Sequence, residues 1–461
     1  MDMAQKSMQF KLATVAALLP LSVGAVEFGV DVDSSNYQDY IVHIANTSND
    51  GQSTEFCGGG LIGGEYLLTA KHCLSLTQDQ SNDSRGQSGE LRIYQGIEFY
   101  SDTYYDVNYT VIVDGKNPNQ KASALAKEAA HGATLKAEHT AINDNSGYDV
   151  NYHGDMVLLK LDRSVPHKTG ALLYPVYDID SRTNYLPTDT EIIFRGWGRT
   201  ESGESPKVMQ QAVVKTFSIW GEPREWTMVN NAEVDSDVHV ECDYQDADVP
   251  AEGPNGRGCE FSGTDLIKVY GIGKQHLKSG DSGTPLVYGN YMLGIAKSEL
   301  AGEVTFTHFA TVLDVIGSSI NKVVYPSAAG METTEGSAAA MQTSIPVQNF
   351  TTSDVLLTPT LVDSSGMFSM DASDCNTTLS SLSGCVIKLS FNQTAQPIDK
   401  EYSASISLNN EHNVPVNISL VTDSGNGSNG GGSGGGGGGG SLGTLAWLSL
   451  GLVALFRRKR V

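Results

Sequence analysis

The chain has 461 residues, too many for one ordinary domain and suited to two or three. With 39% hydrophobic and only 18% charged residues it can build packed cores, which excludes wholesale disorder. Its 30 basic and 53 acidic residues give a net charge of −23, which excludes the basic patches that nucleic-acid binding requires and suits a soluble exported protein.

Taken in chain order, residues 1–25 read as a secretory signal peptide. Lys6 and Lys11 lead into an apolar stretch from Leu12 to Val23, and Val23-Gly24-Ala25 offers small residues to a signal peptidase. Export makes the six cysteines readable as three sequence-local disulfide pairs: Cys57 with Cys73, Cys242 with Cys259, and Cys375 with Cys385. No Cys-x-x-Cys pair with histidine partners occurs, so neither a metal site nor a cofactor is expected. Residues 26–325 carry short apolar runs punctuated by Gly, Asn and Asp, among them 40–44, 91–94, 156–161, 191–194 and 285–287, which is an all-β pattern. From Thr311 to Val324 the apolar spacing turns helical. Residues 326–346, rich in Ala, Ser, Thr and Gly without periodicity, read as a linker. Residues 347–423 return to strands (355–361, 385–391, 402–408, 414–421) and suggest an immunoglobulin-like β-sandwich, its Cys375 and Cys385 closing a local clip. Residues 424–441 hold an unbroken glycine run from Gly434 to Gly440 and read as a flexible linker. Residues 442–461 combine a short uncharged apolar stretch, read as a transmembrane helix, with Arg457-Arg458-Lys459-Arg460, which would stay in the cytoplasm.

Three segments of the first domain carry chemistry together: 67–73, ending Lys71-His72-Cys73; 154–161, with Asp155 leading an apolar run; and Ser279-Gly280-Asp281-Ser282-Gly283-Thr284-Pro285. A serine hydroxyl needs a base to take its proton, and imidazole suits that task near neutral pH. The imidazole needs a carboxylate to fix its tautomer and stabilise its charged form. The oxyanion that develops needs aimed backbone N–H groups, each worth ~10²–10³ in rate. Singly, a histidine in a β protein is usually structural and Gly-Asp-Ser-Gly could be any loop; the order His, Asp, Ser in matching contexts is far more specific.

Cys57…His72-Cys73, Asp155 before its apolar run, Gly196-Trp197-Gly198 and Gly280-Asp281-Ser282-Gly283-Thr284-Pro285 together resemble the trypsin-like, chymotrypsin-fold serine proteases over residues 26–325. The resemblance implies two perpendicular six-stranded β-barrels with a C-terminal helix. It also implies His72 as base, Asp155 as orienting carboxylate, Ser282 as nucleophile, and Gly280 and Ser282 as oxyanion-hole donors. Cys57–Cys73 would clamp the histidine loop and Cys242–Cys259 would match a disulfide of the second barrel. The expected reaction is hydrolysis of protein or peptide substrates through an acyl-enzyme.

Departures from the family pattern shape two further expectations. No Ile-Val-Gly-Gly start is present, yet a cut after Ala25 would expose Val26 at the family's distance from the first strand. Signal-peptide removal would then create the amino group that pairs with Asp281. Six positions before Ser282, where members that cut after Lys or Arg carry an acid, stands His276, a candidate for the specificity pocket. Lys278 replaces a pocket-edge cysteine, and Ala296-Lys297-Ser298 replaces Ser-Trp-Gly.

The glycine run, short apolar helix and basic cluster resemble the GlyGly-CTERM tails of Gram-negative secreted proteins. This implies tail cleavage by a rhomboid-like protease, transient inner-membrane anchoring, type II secretion, and a cell-surface or extracellular product. Two other classes fit the chain: a binding or adhesion protein on a protease scaffold with weak or no proteolysis, and an esterase.

Overall fold

The structure is a computed structural model that describes residues 29–78, 84–115, 150–151, 155–178, 183–186, 190–200, 202–219, 241–242, 259–262, 266–271, 277–300, 303–310, 312–334, 341–392, 401–409 and 413–421. Residues 1–25, read above as a signal peptide, His276, and residues 424–461, read as linker and sorting tail, lie outside the described residues. Among the described residues no helix is long and apolar enough to cross a membrane.

The chain is all-β apart from short helices. Six strands, Ile41–Thr47, Thr54–Ile62, Ser88–Gln95, Thr103–Asp114, Tyr66–Thr69 and Val157–Leu161, close a barrel. Its strands are apolar on the inside and partly outside as well: Val157, Leu158, Leu159 and Leu161 are buried and only Lys160 reaches solvent. The second body keeps the expected barrel-like wrap, with Glu191–Gly196 lying against Pro285–Tyr288. Its strands form one eight-stranded sheet, and among the described residues no ladder joins Glu191–Gly196 to Pro285–Tyr288. The sheet curves around its own core of Phe194, Leu286, Leu293 and Phe306. The helix expected over 311–324 is shorter, Leu313–Ile320. It stops where Asn321 adopts a left-handed backbone (φ 46°) whose N–H returns to the Gly317 carbonyl, the usual way a helix ends. Its apolar face joins the core of the first barrel.

The linker expected over 326–346 is a correction. It contains the strand Ala329–Thr334 and most of Met341–Asn349. The first pairs in parallel with Asn413–Val421, and the second pairs antiparallel with Gly384–Phe391. Two four-stranded sheets result, sharing a core of Ile345, Val347, Ile387, Leu389, Ile406 and Val416. Period-two burial is clean along Gly384–Phe391, with Cys385, Ile387, Leu389 and Phe391 inside. The Cys375–Cys385 bridge forms there.

This sandwich is docked onto the second body. The Gln348 side chain acts as a strand neighbour to Leu173: the Leu173 N–H donates to Oε1 at 2.9 Å and Nε2 donates to the Leu173 carbonyl at 3.0 Å. Lys322 reaches Glu65 of the first barrel at 2.5 Å, and Lys168 reaches Glu332 at 3.1 Å.

Candidate active site

Strand register sets the first contact. Tyr66–Thr69 pairs antiparallel with Val157–Leu161, Thr69 opposite Val157. Two residues beyond that pair, the chain ends carry Lys71-His72 on one side and Asp155 on the other. The His72 N–H donates to Asp155 Oδ1 at 3.0 Å, and His72 Nδ1 lies 2.7 Å from Oδ2. Asp155 is buried and the imidazole is about one-third open, at 35%. A carboxylate that grips backbone and ring together fixes the ring's rotation and places the proton on Nδ1, which leaves Nε2 as the basic nitrogen.

The turn carrying Ser282 is tied to the same place from the other body. The Gly58 N–H donates to the Ser282 carbonyl at 2.7 Å, and Gly58 follows Cys57, which is bonded to Cys73. Gly283 (φ +80°) lies so close that a Cβ there would overlap Thr69 Oγ1 and the Gly58 carbonyl and sit 3.1 Å from Ala70 N. Thr69 and Ala70 lead directly to His72, so the serine turn rests on the histidine segment. Gly280 adopts φ +102°, a conformation that side chains disfavour. Among the described residues, neither the Gly280 N–H nor the Ser282 N–H has a protein acceptor, and Ser282 Oγ makes no hydrogen bond. Resting sites often hold the nucleophile–base contact longer than a hydrogen bond.

Asp281 is buried, at 1% exposure. The Gly198 N–H donates to its Oδ1 at 2.7 Å and the Lys278 N–H to its Oδ2 at 2.9 Å. Gly196 and Gly198 flank it so closely that any Cβ there would overlap the carboxylate. Val26, the expected partner, lies outside the described residues, as does His276. The register between Tyr291–Leu300 and its neighbour Glu303–His308 shifts between Ala296 and Ser298, so the segment that departs from the family pattern is irregular. Cys242 stands opposite Cys259 in a two-strand pair, but their side chains are outside those described. Cys57, Cys73 and His72 lie within 4.8 Å of one another. Because the two sulfurs are bonded to each other, they offer no thiolate to a metal.

Sequence reasoning missed two features. Lys71, beside His72, is buried and its Nζ lies 2.7 Å from Asp114 Oδ2, with side chains 1% and 0% exposed. Asp114 also accepts from Ser84 N at 2.7 Å and Ser84 Oγ at 2.8 Å. The signal was the apolar run before Lys71, which leaves a lysine there no route to solvent. The second is His43, buried under the site among Phe56, Phe99 and Trp197, with ring centroids at 5.4, 4.3 and 5.3 Å. Burial pushes its imidazole down to about 4, against the partial support of the Phe99 carbonyl.

Residues 28–127 match the family model described as Trypsin, a stretch that takes in His72 and ends before Asp155 and Ser282. The chain is 29% identical over 168 residues to Serine protease grass of Drosophila melanogaster, covering 36% of this chain and 37% of that protein. It is 27% identical over 190 residues to Trypsin Blo t 3 of Blomia tropicalis, covering 37% of this chain and 66% of that protein. The chain thus spans under two thirds of these relatives. Among solved structures it is similar to the secreted serine protease VesC from Vibrio cholerae, at a TM-score of 0.36 and 14% identity, covering 85% of this chain and 71% of that one.

Proposed function

We propose that the chain is a serine-type endopeptidase. The observation that carries this reading is the Asp155 carboxylate holding both the backbone and the ring of His72, with the Ser282 turn bonded to the disulfide-clamped histidine loop. In this reading His72 Nε2 takes the Ser282 hydroxyl proton as Oγ attacks the scissile carbonyl carbon, forming the C–O bond. Asp155 stabilises the imidazolium, and the Gly280 and Ser282 N–H groups receive the oxyanion. The imidazolium returns its proton to the leaving amine as the C–N bond breaks. Water, deprotonated by His72, then hydrolyses the acyl-enzyme. Among the described residues neither N–H group has a protein acceptor, which supports their assignment. The finer parts of the reading rest on sequence: activation by pairing of Val26 with Asp281, His276 in the specificity pocket, an immunoglobulin-like C-terminal domain, and secretion with removal of a GlyGly-CTERM-type tail.

Labelling by a serine-directed fluorophosphonate tests the core claim. Wild-type protein is expected to label, and Ser282→Ala is expected to abolish labelling and lower peptide hydrolysis about 10⁴–10⁶-fold. Wild-type protein that neither labels nor cleaves any member of a peptide library would overturn the reading and favour a binding protein. Intact mass of the secreted product tests the tail, which should lack residues 442–461.

A further inference from the structure

An exposed aromatic surface begins beside the site. Between Glu98 and Asp106, Glu98, Tyr100, Asp102, Thr103, Tyr104 and Asp106 face solvent, the first three before the strand Thr103–Asp114 begins. Tyr100 and Tyr104 are 64% and 48% exposed. Their rings are not loose. Tyr100 contacts Phe99 at 4.9 Å, Phe56 at 5.8 Å and Tyr94 at 6.1 Å, and Tyr104 stands 6.0 Å from Tyr94. The buried His43 ring packs under Phe99, Phe56 and Tyr94. Rings held in this way lose little freedom when a ligand covers them.

The surface already contains one filled copy of its own recognition pattern. The Arg92 guanidinium lies over Tyr104, 4.3 Å from the ring centroid, and binds Asp106 through two hydrogen bonds at 2.6 and 3.0 Å. Tyr100 and Asp102 repeat the Tyr-x-Asp spacing of Tyr104 and Asp106. Among the described residues no cation lies over Tyr100, and neither Asp102 nor Glu98 makes an ion pair. A tyrosine face beside a carboxylate attracts a guanidinium or ammonium through the ring quadrupole and direct charge.

The surface is continuous with the reaction centre. Phe56 lies two residues before Gly58, whose N–H holds the Ser282 carbonyl. Adding the Tyr100–Phe56 ring contact, two residues of extended strand and the Gly58–Ser282 hydrogen bond puts Tyr100 within roughly 25 Å of the nucleophile, the reach of up to about seven residues of extended chain.

We propose that Tyr100 and Asp102, assisted by Glu98, form an accessory docking site for an arginine or lysine side chain of a polypeptide substrate, within about seven residues of the bond that is cut. This rests on the protease reading for the word substrate, so the test separates the two. The full chain carrying Ser282→Ala is titrated with two fluorescent peptides of about 16 residues, identical except that one bears Arg and the other Gln within about seven residues of its centre. The Arg peptide is expected to bind about fivefold to tenfold more tightly at low salt. Tyr100→Ala and Asp102→Asn should each remove the preference. With Ser282 intact, the same two changes should lower kcat/KM for the long basic peptide by a similar factor and leave a short peptide ester within about twofold. Equal binding of the two peptides, or a preference that survives both substitutions, overturns the proposal. A protein that hydrolyses nothing but still prefers the Arg peptide through Tyr100 and Asp102 retains the docking site and loses the protease reading.

Discussion

Replacing Lys71 with methionine keeps the length and apolar stem of the side chain and deletes its charge. In the native structure that ammonium sits 2.7 Å from Asp114 Oδ2 with almost no solvent at either group. Removing one partner of a buried ion pair typically costs ~3–5 kcal/mol, because the remaining charge stays desolvated and uncompensated. The two Ser84 donors still reach Asp114, which places the expected loss at the lower end, about 3 kcal/mol. Lys71→Met/Asp114→Leu removes both charges together and takes the acceptor from the Ser84 groups, so it should lie about 2 kcal/mol or less below wild type. Urea unfolding of the wild type, both single variants and the double variant gives the coupling energy directly. The labelling rate with fluorophosphonate, measured well below the unfolding transition, reports whether His72 remains in place. A Lys71→Met loss below about 1 kcal/mol, or a double-variant loss equal to the sum of the singles, would refute the reasoning and show a solvated pair.

Three other perturbations give distinct readouts. His43 has a folded-state value of about 4 against an unfolded value near 6.5, so the unfolded chain binds the proton more readily between those limits. Stability is complete above about pH 6.5 and falls as pH drops toward 4, by up to ~3 kcal/mol; His43→Gln should flatten that part of the urea-stability profile, whatever it costs at neutral pH. Replacing Cys57 and Cys73 together by alanine opens a loop with a sequence separation of 16, which chain entropy values at ~3 kcal/mol; thermal unfolding measures it, and phosphonate labelling should slow in parallel. Gly283→Ala puts a methyl group onto the Gly58 carbonyl and Thr69 Oγ1 at a positive φ, so labelling of Ser282 should fall at least about 10²-fold; unchanged labelling would mean that the serine turn does not rest on the histidine segment.

Much of the site was legible because its chemistry is carried by residue order and short local contexts. His72 and Asp155 are 83 residues apart, yet each ends or begins an apolar strand, and register alone brings them together. The segment 329–334 was opaque for the opposite reason. Ala329-Gly330-Met331-Glu332-Thr333-Thr334 offers only Ala329 and Met331 as alternating apolar positions, and its strand pairs with Asn413–Val421 along a parallel edge, a tertiary gain that composition does not announce. The closed second barrel was an expectation from resemblance, which does not specify whether every ladder forms. Nothing in the sequence pairs Lys71 with Asp114, which folding brings together and encloses across 43 positions.

One side-chain amide ties the carboxyl-terminal part of the molecule to the sheet that follows the Ser282 turn. Gln348 holds Leu173; Leu172–Leu173 runs alongside Tyr291-Met292; and that strand is the partner of Pro285–Tyr288, which emerges from the serine turn. A pull exerted on the sandwich is therefore felt as shear on the sheet that carries Ser282, and severing the chain between the two halves would leave a raw seam where a glutamine side chain once stood in for a strand.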